Sequence, residues 1–195
     1  MGNCFGGRGS DEADGNAYSS SRGTIQQVLM FPDKAMPCRY GRSCRRGNSC
    51  SYSHENTSLK QFLARLSSAK RSIDVCVFTI TCNEIADTLL EQHRKNVAVR
   101  IISDGEQLHS QGSDVQRMAR AGIPVRLGRE ENSLMHHKFA VLDRNIIVTG
   151  SFNWTRHAVL HNRENIFISD LGQMRQPYIG EFDKLWREYS GNVLR

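Results

Sequence analysis

Residues 135–153 read MHHKFAVLDRNIIVTGSFN, and within them His136, Lys138, Asp143, Gly150, Ser151 and Asn153 follow the order H-x-K-x4-D-x6-G-S-x-N. These residue types suit phosphodiester cleavage. A phosphodiester repels nucleophiles through its own charge, so a site needs a nucleophile, cations and donors for the nonbridging oxygens, and an acid for the leaving oxygen. A buried hairpin with an incidental surface His and Lys is the bland reading, and six defined positions in order argue against it. The other H-x-K, His93-Arg94-Lys95, has Arg100 where the motif needs Asp. It also falls at the end of an expected helix, where residues two apart diverge.

The elements that must position these groups can be read from the apolar pattern. Phe139, Val141 and Leu142 precede an Asp-Arg-Asn break, and Ile146, Ile147 and Val148 follow it, which predicts two short buried strands joined by a tight turn. On a strand His136 and Lys138 share one face and His137 takes the other. Gly150 to Asn153 then leads toward a helix, where a small residue allows close backbone approach and free N–H groups can meet an anion. Asp143 has two readings, motif member and turn former.

Around this hairpin the pattern predicts strands over 24–31, 73–80, 97–102, 123–127 and 164–169. Helices are expected from Thr57 through Leu59, Phe62, Leu63 and Leu66, through Ile85, Ala86, Leu89 and Leu90, over 115–121, over 154–161, and through Ile179, Phe182, Trp186 and Tyr189. Asn56 or Thr57 would cap the first. Strands alternating with helices give an α/β fold, with a mixed, largely parallel sheet covered by helices on both faces. Cys76 and Cys82 read as packed thiols.

Cys38, Cys44, Cys50 and His54 form C-x5-C-x5-C-x3-H, four ligands suited to a structural zinc ion in a small inserted finger over 38–54. So small a unit has no core, and metal would supply its folding free energy. Arg39, Arg42, Arg45 and Arg46 with Tyr40 and Tyr52 make a basic and aromatic surface suited to single-stranded nucleic acid. A metal-stapled loop with a solvated basic face, or reduced cysteines binding nothing, are the alternatives.

The chain's 195 residues suit one catalytic domain over 24–190 plus a small appendage. No apolar run approaches the ~20 residues of a membrane-spanning helix. A net charge of +6 favours polyanionic partners, nucleic acid or anionic lipid. Six cysteines without a secretory leader argue against a disulfide framework. The first 23 residues hold ten Gly and Ser and read as a disordered tail. Its Gly2 and Cys4 could carry two acyl chains, enough for stable attachment to a membrane surface, although Gly6 replaces the usual Ser or Thr.

The spacing from His136 to Asn153 resembles the HxKxxxxDxxxxxxGSxN signature of the phospholipase D superfamily. Phe31-Pro32 before a Cys/His insertion of the CCCH zinc-finger kind, a single motif, and Asn162-Arg163-Glu164-Asn165 after it resemble the mitochondrial cardiolipin hydrolase group, also called Zucchini. That group usually begins with a hydrophobic membrane anchor, where this chain has its Gly/Ser-rich tail. The resemblance implies a phospholipase D-like fold and a phosphohistidine formed on His136, without a catalytic metal. Lys138, Asn153 and Ser151 would hold the phosphate, and Glu164 is the best candidate to orient His136. It implies a single-strand RNA endonuclease of the piRNA-processing type, or a cardiolipin hydrolase producing phosphatidic acid, at the mitochondrial outer membrane. An inactive RNA-binding or membrane-tethering protein is the third reading. One His cannot be nucleophile and acid in one step, so a homodimer apposing two motifs is expected, with His109, His157 and His161 as alternatives within one chain.

Overall fold

The computed structural model describes residues 23–128 and 133–194. The expected tail, with Gly2 and Cys4, lies outside these residues, as does the side chain of Arg42. Eight strands, β1 Ile25–Met30, β2 Ser72–Val77, β3 Ala98–Asp104, β4 Val125–Gly128, β5 Lys138–Leu142, β6 Ile146–Gly150, β7 Asn165–Ser169 and β8 Val193–Leu194, form one open sheet. Their order is β1-β7-β6-β5-β2-β3-β4-β8. The α-helices among the described residues are α1 Ser58–Ser67, α2 Asn83–Arg94, α3 Val115–Arg120, α4 Arg156–Leu160 and α5 Gly172–Glu188.

The mixed α/β class matches expectation, but the sheet is not largely parallel. Only β2–β3 and β3–β4 run parallel, and the other neighbour pairs are antiparallel. The βαβ rhythm that implied parallel pairing holds from β2 to β4, where α2 and α3 supply the crossovers. From Lys138 onward the chain turns back on itself, through a tight turn between β5 and β6 and a short helical connection between β6 and β7. The edge strand β1 then adds antiparallel to β7.

Both faces are covered. Leu59, Phe62 and Leu66 of α1, Ile85 and Leu89 of α2, Met118 of α3 and Val159 of α4 pack on one face, over Val75, Ile101, Ala140, Val148 and Ile168. Ile179, Phe182 and Leu185 of α5 cover the other, over Cys76, Ile102, Phe139, Val141 and Ile147. The start of α1 is fixed twice: Thr57 Oγ1 accepts from Lys60 N–H at 3.2 Å, and the Asp33 carboxylate accepts from the N–H groups of Ser58 and Leu59, each at 2.9 Å. Two elements are shorter than their apolar runs suggest. β2 stops at Val77 because Phe78 turns its N–H to His137 O, and α4 begins only at Arg156, capped by Thr155.

This topology gathers one end of the sheet. The end of β2, the start of β5, the end of β6 and the start of β7 lie side by side, with Val77 opposite Lys138 and Gly150 opposite Ile166. β1 also finishes there, Met30 opposite Asn165, so the Cys/His segment that follows it emerges at the same end. In sheets with parallel strands, the carboxyl ends of those strands are where ligand sites form.

Candidate active site

His136 and Lys138 project to one side of β5, as strand geometry requires. The His136 ring lies 4.7 Å from the Phe78 ring, and the Lys138 ammonium sits 5.2 Å from the same ring. Lys138 Nζ donates to His136 O at 2.7 Å, which holds the cation beside the imidazole. His137 points the other way, against Phe139 and 3.6 Å from Glu181 of α5. Partial desolvation lowers the His136 pKa below its ordinary value; Lys138 and His137 add to the shift, and Asp104 opposes it. The imidazole is therefore neutral near pH 7, the form a nucleophile needs. Desolvation likewise lowers the Lys138 pKa, against an opposing pull from Glu164.

The loop after β6 is held by alternate residues. Phe152 stacks on Phe31 with centroids 4.3 Å apart, and Trp154 meets Phe62 edge-on at 5.3 Å. Both rings are buried, and truncating either to Ala would cost roughly 3–5 kcal/mol. The residues between them, Ser151 and Asn153, belong to the site. Gly150 has no alternative, because a Cβ there would lie 2.0 Å from Asn165 O. Asn153 Oδ1 is buried and has no hydrogen-bond partner among the described residues. The side-chain amide also carries an NH2 group, which can donate to a phosphate oxygen.

Among the described residues Glu164 makes no hydrogen bond to His136, the ring it was expected to orient. Its Oε2 accepts from Ser151 Oγ, and its Oε1 accepts from Asn162 Nδ2 at 3.1 Å. Ser151 Oγ in turn accepts from Asn165 N–H at 3.1 Å. Glu164 thus fixes the loop that carries Ser151 and balances Lys138. Asp143 lies at the opposite end of β5, with φ of 53°, and accepts from the backbone N–H groups of Lys70, Arg71 and Ser72. Of its two sequence readings, this geometry matches the turn former. His157 and His161 face each other at 4.9 Å along α4, and His109 is exposed in a short 3-10 turn.

Asp104 was missed in the sequence. Its buried carboxylate accepts from Met135 N–H at 3.0 Å and from Glu106 N–H at 2.9 Å, tying down the residue before His136. The signal was the polar Ser103-Asp104 pair directly after Ile101 and Ile102, closing the strand at the site's end of the sheet.

The Cys/His segment is a compact knuckle clipped at its base, where Cys38 N–H donates to Ser53 O and Ser53 N–H to Met36 O. It contains a repeat not noticed in the sequence, Gly41-Arg-Ser-Cys44 and Gly47-Asn-Ser-Cys50. Both glycines adopt φ of 50° and open a 3-10 turn that delivers the following cysteine. The Sγ atoms of Cys38, Cys44 and Cys50 and a ring nitrogen of His54 lie within 4.8 Å of one another. A tetrahedral thiolate site with Zn–S near 2.3 Å has sulfurs about 3.8 Å apart, and Cys50 Sγ and Cys38 Sγ are 3.8 Å apart. The four donors can hold a metal ion.

Residues 62–186 match the family model described as cardiolipin synthase, PLD-like domain. Similar proteins include the mitochondrial cardiolipin hydrolases of Chlamydomonas reinhardtii, 46% identical over 173 residues (87% of this chain, 77% of the relative), and Xenopus laevis, 37% identical over 172 residues (88% and 81%). Among solved structures, the phospholipase D family member Nuc from Salmonella typhimurium shares the fold at a TM-score of 0.68 and 21% identity, covering 85% of this chain and 95% of its own. Site, fold and relatives converge: the chain is a phosphodiesterase and belongs to the cardiolipin synthase, PLD-like domain family of the phospholipase D superfamily.

Proposed function

We propose that the protein cleaves single-stranded RNA internally, as a homodimer, through a phosphohistidine on His136. The observation that carries this reading is the pairing of a neutral imidazole with a fixed ammonium over Phe78, at the end of the sheet that also carries Asn153, whose buried Oδ1 has no hydrogen-bond partner among the described residues. In the first step a His136 ring nitrogen forms a bond to phosphorus, and the bond from phosphorus to the leaving oxygen breaks. Lys138, Asn153 and Ser151 hold the nonbridging oxygens, while Glu164 fixes Ser151. The leaving oxygen takes a proton from a second His136, that of another copy, which enters the step as imidazolium and leaves it as neutral imidazole. That imidazole then accepts a proton from water as the water attacks phosphorus and the P–N bond breaks, leaving a 5′-phosphate. Such proton transfer contributes about 10²–10⁴-fold.

RNA is favoured by the basic and aromatic knuckle at the same end of the sheet. Zinc is the metal that three thiolates and one imidazole favour, as a structural rather than catalytic ion. Cardiolipin hydrolysis to phosphatidic acid is the second reading. It draws on the relatives' names and on the exposed apolar side chains at the catalytic end, Leu134 (51% exposed) and Met30 (65%). Among the described residues no helix is long and apolar enough to cross a membrane. Acyl chains on Gly2 and Cys4 would hold the protein at a membrane, the mitochondrial outer membrane by resemblance. Labelled single-stranded RNA and cardiolipin vesicles, each incubated with the wild type and with His136→Ala, separate the readings. Cleavage of RNA lost in the variant is expected, and cleavage of lipid with intact RNA would overturn the RNA assignment.

A further inference from the structure

A cleft of about 690 Å³ opens between the knuckle and the polar face of α2. We propose that it binds an unpaired nucleobase bearing an amino group, adenine, cytosine or guanine in preference to uracil, from the same strand whose phosphate occupies the catalytic site. The inference rests on the RNA reading above and adds a base preference to it.

The two walls carry opposite charge. On the knuckle side stand Tyr40 and Tyr52, 69% and 42% exposed, with Arg39 and Arg46, and Lys60 of α1 beside them. Among the described residues, neither tyrosine ring stacks on another ring or cation, and these three cations make no ion pair. On the α2 side stand Glu84, Asp87 and Glu91, spaced three and four residues apart and so on one helix face. Each has an oxygen already held by a cation: Glu84 by Arg156 at 3.5 Å, Asp87 by Arg117 at 2.6 Å and Glu91 by Lys95 at 2.6 Å. The second oxygens of Asp87 and Glu91 have no donor among the described residues.

A ligand for such a cleft must be anionic along one side and rich in donors along the other. A nucleotide strand meets both demands. Its phosphates follow the arginines, its bases stack on the tyrosines, and their edges face the carboxylates. A basic peptide would be repelled by the knuckle wall, and a simple polyanion by α2. Carboxylates accept from the N4 amino group of cytosine, the N6 amino group of adenine and the N2 amino group of guanine. Uracil presents carbonyl oxygens at the corresponding place and is disfavoured.

The cleft is also placed for it. α2 begins directly after the segment that leads from Phe78, the ring under His136. Arg156, which holds Glu84, lies three residues beyond Asn153. A strand leaving the catalytic phosphate site can pass over Arg156 to reach the cleft.

Cytosine and uracil differ in the exocyclic group at C4 and in the proton on N3, so the test compares labelled oligocytidylate with oligouridylate of equal length. The full-length His136→Ala protein, with its metal bound, keeps both intact, and fluorescence anisotropy reads the affinities. Cytidylate is expected to bind roughly fivefold more tightly. Asp87→Asn combined with Glu91→Gln should bring that ratio to one, and Tyr40→Ala combined with Tyr52→Ala should weaken both oligomers about tenfold. Unchanged metal content and melting temperature would show that the variants fold. Binding and wild-type cleavage of both RNAs with no cytidylate preference would overturn the cleft proposal while leaving the nuclease reading standing. Absence of RNA binding and cleavage, alongside cardiolipin hydrolysis, would overturn both.

Discussion

Asp104 Oδ2 accepts a hydrogen bond from the backbone N–H of Met135 at 3.0 Å, so a buried carboxylate on β3 fixes the residue immediately before His136, just ahead of β5. Its other oxygen holds Glu106 N–H. Asp104→Asn keeps the shape but replaces one acceptor with an NH2 group, leaving a buried N–H without a partner. Such a loss costs roughly 1–3 kcal/mol. It also removes the charge that raises the His136 pKa, leaving desolvation, Lys138 and His137 to lower it further. With the neutral imidazole as the proposed nucleophile, the acid limb of the rate profile should move to lower pH, with the rate at pH 7 down about tenfold. A pH profile checks this, and a limb that moves to higher pH would contradict the electrostatic assignment.

Asp143 gives the opposite kind of effect. Partial burial works against its charge, but N–H bonds from Ser72, Lys70 and Arg71, with the Arg71 guanidinium, bring its pKa below the ordinary carboxylate range. A lowered folded pKa contributes stability that is present above the unfolded value, near ~3.9, and is lost as pH falls through the folded value. Asp143→Asn tolerates the left-handed φ but loses the charge, and should destabilise by roughly 1–3 kcal/mol at pH 7. Urea unfolding should show the gap closing toward pH 2, because the wild-type carboxylate is then protonated too. A variant as stable as the wild type at pH 7 but catalytically dead would assign Asp143 to the chemistry instead.

The contrast between these two aspartates shows what the sequence could and could not reveal. The shared side of His136 and Lys138, both against Phe78, was legible because strand alternation fixes it. The four knuckle ligands were legible because their spacing is local. Asp104 was not, because its partner Met135 is 31 residues away and only the placement of β2 between β3 and β5 brings them close. Glu164 bonds Ser151 and Asn162, and the first of these contacts depends on the chain's path after β6, which its place in the sequence does not announce. The parallel sheet was over-read for a related reason. Local alternation shows strands and helices, whereas the antiparallel pairing of β1 with β7 joins residues some 140 positions apart in sequence and leaves no local trace.

Metal dependence should divide between the knuckle and the chemistry. No step assigned to His136, Lys138 or Asn153 calls on a divalent ion, so brief EDTA treatment should leave turnover intact and magnesium should not be required. Cys44→Ser removes one of four ligands and should lower bound zinc, with loss of stability in the knuckle or of substrate binding. Metal analysis and a melting curve of both proteins check this. Activity that appears only with magnesium would contradict the phosphohistidine mechanism, and wild-type protein without zinc would remove the structural role.

The last prediction concerns the second imidazole. Among the described residues no other histidine has a recorded contact with His136 except its neighbour His137, which turns toward Glu181. His157 and His161 pair with each other. If the acid is His136 of a second copy, a dimer with one His136→Ala chain has either nucleophile or acid, never both. Random mixing at wild-type fraction p then gives activity proportional to p squared, because both chains of a working dimer must be intact. A site complete within one chain gives activity proportional to p. Chains co-refolded at several ratios, with mixed dimers confirmed by mass, should follow the square law in initial rates of phosphodiester cleavage. A straight line through the origin in the presence of mixed dimers would rule out the shared site and return His109, His157 and His161 as the acids to test by substitution.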